Sequence, residues 1–494
     1  MLRTITDFLN GIIWSDTMTY LCLITGIIFT FALKGVQATK IKDMVKLSFV
    51  NDKSKTGISS FQAFVVAVAG RVGTGNIVGV ATAICFGGPG AIFWMWVLAF
   101  LGAATSFAEC ALAQLYKQKI GGQYVGGPAY SIRYGLNSKW LAAIFAVCGF
   151  FGNLVFHPSL QANAIADAVN NAFGINEIIT TCIVCLLLAL IVFGGVNRIA
   201  SVCEKAVPVM SVGYILMAII LIIFNIEKVP SVFSMIFTSA FGANAVFGGM
   251  LGSAIAWGVK RGVYSSEAGM GTASQAAAAA DVSHPAKQGL VQAFSIYIDT
   301  LFVCTATALM MLITGMYNVQ NEATGEFLYN ALPGMEAGSG FIQSAMDSFI
   351  PSFGSAFVAI ALFLFAFTTL MSCYIIGESN ILFLFPKLGD SKLGTGLIRA
   401  LFLVCAFIGC VVPSQMAWDW ADIGLGSCTW LTVISCLLLI KPSVKLCRDY
   451  CEQKKQGLDP IFRPSKVGIK NADLWEEIAD EYEKRTCEEK GSSV

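Results

Sequence analysis

The chain has 494 residues, of which 56% are apolar and 13% charged, and a mean hydropathy of +0.70. That balance excludes an ordinary water-soluble core and points to one body embedded in a lipid bilayer. A net charge of +1, with no basic patch interleaved with aromatics, speaks against a nucleic-acid partner. The sixteen cysteines lie mostly inside apolar runs, where cysteine acts as a small hydrophobe, and two histidines, His157 and His284, are too few to complete a zinc site.

From the N-terminus, Met1 to Asp16 lacks the basic start, apolar run and small-residue cleavage site of a signal peptide, so the first span is expected to stay in the protein. Apolar windows of about twenty residues predict spans near 17–38, 59–85, 91–116, 139–170, 177–195, 204–225, 237–260, 289–315, 353–382, 394–412 and 418–440. The predicted fold is therefore an all-α polytopic membrane protein with eleven transmembrane helices. Placing the N-terminus outside puts 29 of the 32 Lys and Arg in inner loops or in the C-terminal tail, so the basic-loop rule predicts a cytosolic C-terminus at the plasma membrane. Inner loops at 121–139 and 261–286 are each expected to carry a short helix, and the tail is expected to form a solvated helix from Asp473. The 139–170 span should tilt or bend near Pro158.

The second span carries the most informative stretch. Gly70-Arg71-Val72-Gly73-Thr74-Gly75-Asn76-Ile77-Val78-Gly79 places polar and helix-breaking residues inside an apolar run. Glycine weakens a helix by roughly 1 kcal/mol relative to Ala, and opened backbone at membrane depth survives only within protein or along a cavity. Close packing through Gly75 and Gly79 accounts for the glycines but not for Arg71, Thr74 and Asn76. If the helix opens here, the half-helix beyond it offers N–H groups and a positive dipole end to a carboxylate. The freed carbonyls of Arg71, Val72 and Thr74 would suit a small hard cation such as Na⁺. A faint counterpart, Gly252, Ser253, Gly258 and Val259, matches Gly73, Thr74, Gly79 and Val80 at an offset of 179 residues. It predicts a second break at 248–253. Paired interruptions in two five-span halves point to a transporter binding site at an inverted repeat. The division is then 1–58 for the N-terminal segment, first span and basic loop, 59–226 and 227–441 for the two halves, and 442–494 for the tail.

Other polar residues sit at depth. Gln161 needs a helix or ligand partner, and Thr368-Thr369 offers two hydroxyls that either bond back to their own helix or ligate a cation. Arg71 needs a carboxylate, for which Asp299 and Glu109 are the candidates inside spans; His157 either shuttles protons or packs beside Pro158. No nucleotide-binding glycine loop occurs, nor any hydrolytic Ser/His/Asp or His-Glu-x-x-His pattern, so neither ATP use nor enzyme activity is expected.

Three blocks carry a family resemblance. Residues 87–102 (GGPGAIFWMWVLAFLG) look like the signature of the sodium:alanine (alanine or glycine:cation) symporters, and 73–77 (GTGNI) and 261–269 (RGVYSSEAG) are similar to two more of its blocks. The match runs through residues 17–440 and departs at Ser266, where the family more often has Asn. The resemblance implies one N-terminal helix plus a five-plus-five inverted repeat of the leucine-transporter type, with two broken helices. It also implies transport of alanine, glycine or a similar small neutral amino acid into the cell with Na⁺. By position, Thr368 and Thr369 with first-break carbonyls would hold the cation. Thr74, Gly75, Asn76, Gln161 and the stretch Gly252, Ser253 to Ile255 would hold the amino acid. Proton coupling, another small zwitterion, or a sensor on the same fold are the competing readings.

Overall fold

A computed structural model describes every residue except Met1, 52–56, 245, 323, 352, 410 and 492–494; part of the basic 34–58 loop thus lies outside the described residues. Seven described helices are long and apolar enough to cross a membrane, and an eighth span results if the bent pair Ser60–Arg71 and Gly75–Gly87 is one crossing. Shorter apolar helices, Glu177–Val192 and Lys392–Ile408, stand at two more of the expected positions. Many large apolar side chains, such as Leu186, Val209, Ile223 and Leu397, are exposed around the bundle, as a lipid-facing surface requires.

The elements that build the interior are α1 (Ser60–Arg71), α2 (Val80–Gly87), α3 (Gly90–Leu115), α4 (His157–Phe173), α5 (Gly195–Phe224), α6 (Leu251–Ser266), α7 (Ala273–Ala279) and α8 (Pro285–Ile296). They are completed by α9 (Gly354–Leu384), α10 (Lys392–Ile408), α11 (Ser414–Leu438) and, in the tail, α12 (Ile440–Lys455) and α13 (Leu474–Gly491). Ser59 and Gln62 form a reciprocal capping box at the start of α1, which fixes where the broken span begins.

Three spans loosen into π-helix, over Gly75–Gly79, Phe151–Phe156 and Tyr297–Cys304. The second of these lies just ahead of Pro158, where a bend was expected. π segments shift side chains around the helix axis and collect at functional sites. Here the first and third meet: Asn76 Nδ2 donates to Asp299 Oδ1 at 2.6 Å.

The second break is not at 248–253. There Gly248–Met250 forms a short 3-10 turn that leads directly into α6. The chain instead opens between α6 and α7, where Glu267, Gly269 and Gly271 have φ of +53°, +81° and +81°. Left-handed backbone favours glycine, which fills two of these three positions, while Glu267 takes it as the residue that ends α6. The 261–286 segment, rich in small residues and expected as an inner loop with a short helix, therefore supplies the interior break and its short continuation α7.

The tail also differs from a solvated helix. Trp475 is fully buried and donates its indole N–H to the Gln114 carbonyl at 2.9 Å.

Candidate functional site

α1 ends at Arg71, and the chain turns by 51° before α2. Ala69 loses its usual helical partner because the Gly73 N–H turns to Asn76 Oδ1 at 2.9 Å. The Ala69 carbonyl then faces α9, where the Thr369 hydroxyl lies 2.9 Å away. That hydroxyl is also 3.4 Å from the Val72 carbonyl and 3.0 Å from the Phe365 carbonyl. One hydroxyl proton cannot serve three carbonyls, so an oxygen-rich, uncharged cage surrounds this point. Its donors are the type that replaces the hydration shell of a small hard cation.

Among the cation-site candidates, Val72 and Thr369 come together. Thr368 shares the Phe365 carbonyl at 2.9 Å but turns towards Met210 Sδ on α5, 3.6 Å away. Ala69 and Phe365 were not flagged in the sequence, since a carbonyl in an apolar helix has no residue-type signal.

The amide of Gln161 on α4 clamps Thr74. Its Oε1 accepts the Thr74 N–H at 3.3 Å, and its Nε2 donates to Thr74 Oγ1 at 3.0 Å. The same Nε2 lies 2.8 Å from His157 Nε2. An imidazole nitrogen that accepts from an amide leaves the ring proton on Nδ1, which faces Cys373 Sγ at 3.4 Å. Gly75 packs against the ring of Tyr264, so a glycine is used here both for opening and for close approach. Thr74, Gly75, Asn76 and Gln161 thus form one buried neighbourhood at the break.

Gly252, Ser253 and Ile255 do not join it. Gly252 is exposed, Ser253 and Ile255 are half-buried, and a Cβ at Gly252 would meet nothing within 4 Å. In their place α6 brings Tyr264 and Ser265, the latter donating to Asp299 Oδ2 at 2.9 Å. Both belong to the 261–269 block, which lies just past the apolar window ending at 260 and was therefore expected in an inner loop.

Arg71 is not paired with a carboxylate among the described residues. Its guanidinium donates to the Ser266 carbonyl at 2.6 Å, the Gln292 carbonyl at 3.2 Å, Ser106 Oγ at 3.0 Å, and Ser295 Oγ. Such a set disperses a buried charge over neutral acceptors and ties the end of α1 to α3, α6 and α8. Asp299 accepts from Asn76, Ser265 and Thr300 instead, and Glu109 accepts the Gly271 N–H at 3.1 Å, bracing the second break.

On the side away from the tail, an aromatic and charged layer covers the break. Arg261 lies 4.5 Å from the Trp418 ring and 5.8 Å from the Tyr264 ring. Asp422 pairs with Lys260 at 2.9 Å and with Arg261 at 3.4 Å.

The Sodium:alanine symporter family matches residues 1–464 of this chain. A putative sodium/proton-dependent alanine carrier protein of Bacillus subtilis (strain 168) is 53% identical over 468 residues, covering 95% of this chain and 96% of the relative. A sodium/proton-dependent alanine carrier protein of Bacillus sp. (strain PS3) is 49% identical, covering 90% and 99%. Among solved structures, a manganese transporter of Eremococcus coleocola aligns with a TM-score of 0.53 at 15% identity, covering 87% of this chain and 95% of that one. MhsT in complex with L-phenylalanine aligns at 0.51 and 14%, covering 86% and 96%. At such identities these two speak for the fold alone, the leucine-transporter type. The family match and the two alanine carriers extend over nearly the whole chain, breaks included, and so this multi-pass membrane protein belongs to the sodium:alanine symporter family.

Proposed function

We propose that the chain is a secondary-active symporter that carries a small neutral amino acid, alanine or glycine, into the cell with Na⁺ by alternating access. The observation that carries the ion assignment is the Thr369 hydroxyl ringed by the Ala69, Val72 and Phe365 carbonyls. In this reading Na⁺ takes those oxygens, with Thr368 sharing the Phe365 carbonyl beside them. The amino acid sits at the break, its carboxylate towards the Gly75 N–H and the positive end of the half-helix, beside the Thr74 held by Gln161. Gln161 and Asn76 shape the polar wall, and Tyr264 limits the space left for a side chain. Because the ion and the amino acid share the opened backbone of one helix, each favours the geometry that the other needs. The tail side is cytosolic, in keeping with the basic loops.

The test is uptake of labelled alanine into proteoliposomes under an imposed Na⁺ gradient, with glycine and D-alanine as competitors. Accumulation that needs Na⁺ and is competed by glycine is expected. Binding without flux would instead identify a sensor.

One contact favours a second coupling reading. His157 Nε2 accepts from Gln161, so a proton arriving at that nitrogen would force the amide to turn and would withdraw Oε1 from the Thr74 N–H. Proton coupling would then act on the same break. Under a pH gradient without Na⁺, this reading expects uptake in the wild type and none in His157→Gln. Absence of pH-driven uptake in the wild type would sink it.

A further inference from the structure

Away from the break, towards the tail, lies a cavity of about 180 Å³. It is lined by Gly57 just ahead of α1, Gln275 on α7, Asn197 on α5, and Glu378 on α9 facing Arg399 on α10. Glu378 follows Thr369 by nine residues on α9, which places it about 13 Å further along the helix at 1.5 Å per residue. The cavity is therefore separate from the cage and the Gln161 clamp. The segment leading into the first broken span, the continuation α7 of the second, and α5, α9 and α10 meet around it, so it lies on the tail side of both breaks, where a passenger would leave them.

Its charges are arranged unusually. Glu378 and Arg399 do not meet directly; each engages the Tyr374 hydroxyl, which donates to Glu378 Oε1 at 2.6 Å and accepts from Arg399 Nε at 3.3 Å. Arg399 NH1 holds the Phe193 carbonyl at 3.3 Å. Among the described residues, Glu378 Oε2 and Arg399 NH2 have no hydrogen-bond partner. A pair meant only to brace two helices would close into a direct, two-point contact, the strongest arrangement open to a guanidinium and a carboxylate. Here a hydroxyl keeps the two charges apart while both line the same polar cavity, leaving one acceptor and one donor edge for something that carries both signs.

We propose that this cavity is a second, release-side binding site for the zwitterionic amino acid, with Glu378 facing its ammonium group and Arg399 its carboxylate. The inference rests on the transport reading above and on the tail side being the release side. Occupancy here lets the passenger leave the break before it reaches water, and it sets the affinity seen from the tail side alone. Gln275 on α7 couples the site to the second break, because α7 must shift when that break changes shape.

The experiment compares membrane vesicles of both orientations containing the full chain. Alanine KM is measured from each side, together with the Na⁺ concentration for half-maximal uptake. Glu378→Gln and Arg399→Gln are expected to raise the tail-side KM about tenfold, the size of one lost charged contact, and to leave the far-side KM and the Na⁺ response within about twofold. Vesicles in which the wild type transports alanine but the variants leave both KM values unchanged, or move both together, overturn the proposal. A wild type that takes up no alanine from either side overturns the transport reading instead. Should either charge variant fail to reach the membrane, Asn197→Leu, an exposed lining position, narrows the cavity without touching the charges. A rise confined to the tail-side KM supports the site, and an unchanged tail-side KM, or an equal rise on both sides, counts against it.

Discussion

At the scale of single residues, Thr369 separates the cation cage from ordinary helix packing. Thr369→Ala removes one oxygen and leaves the carbonyls. The half-saturating Na⁺ concentration should rise about tenfold, while alanine binding at saturating Na⁺ is kept. Thr368→Ala, facing Met210, should move it less; equal effects of the two would count against the cage. Asn76 holds the Gly73 N–H with its oxygen and Asp299 with its nitrogen, so one amide closes the break from both ends. Asn76→Asp keeps the shape but sets two carboxylates at hydrogen-bond distance, and a loss of about 2 kcal/mol or more in stability is expected. Detergent-solubilised thermal unfolding reads it directly, and an unchanged midpoint would show that Asp299 is not charged there.

At the scale of elements, the two breaks are built by different means. The first opens where the Gly73 N–H turns to Asn76 Oδ1, and only glycine fits there: a Cβ would overlap the Thr369 hydroxyl and sit 3.2 Å from Gln161 Oε1. The second opens because Glu267, Gly269 and Gly271 take left-handed backbone, with the Glu109 carboxylate receiving the freed Gly271 N–H. Gly271→Ala would strain that backbone and press on the Thr432 hydroxyl at 2.6 Å. It should abolish uptake or expression, whereas Gly252→Ala, whose new methyl meets nothing, should behave as wild type. Comparing uptake by the two variants locates the second break in function as well as in shape. That Gly252 and Ser253 resemble the first break in sequence reflects composition: both are small residues beside a helix start.

At the scale of the molecule, the tail is part of the fold. Trp475 fills a site under α3, Lys117 Nζ lies 4.8 Å from its ring and 4.0 Å from that of Tyr124, and Lys287 pairs with Asp459 at 2.7 Å. Burial pushes the Lys117 ammonium down to about 7, against the pull of Asp281. An undocked Lys titrates near 10.4, so between these values the undocked state binds more protons. Docking therefore strengthens as pH rises above about 7 and weakens as it falls through that value. Trp475→Ala should cost about 3 kcal/mol locally and speed amide exchange in α13. Proteolysis of the tail at pH 6 and pH 9 checks the sign: faster cutting at the higher pH would contradict it.

Much of this was legible in the sequence for reasons that are local. Apolar windows near bilayer length mark spans, because hydrocarbon admits only internally bonded backbone, and the glycines and Asn76 mark the first break, because no regular helix wants them at depth. Composition and the three family blocks carried the class of fold and of function. What the tertiary structure alone decided are the matters of partnership. The Ala69 and Phe365 carbonyls carry no residue-type signal, and become a cage only when α9 lies beside the end of α1. Arg71 looked as though it needed a carboxylate, but neutral acceptors on four residues of three other helices disperse its charge. Arg261 and Glu267 looked like loop residues; Asp422, Trp418 and a left-handed turn let that segment enter the bundle. A charge or glycine states a cost in the sequence, and only the packed neighbours determine how that cost is met.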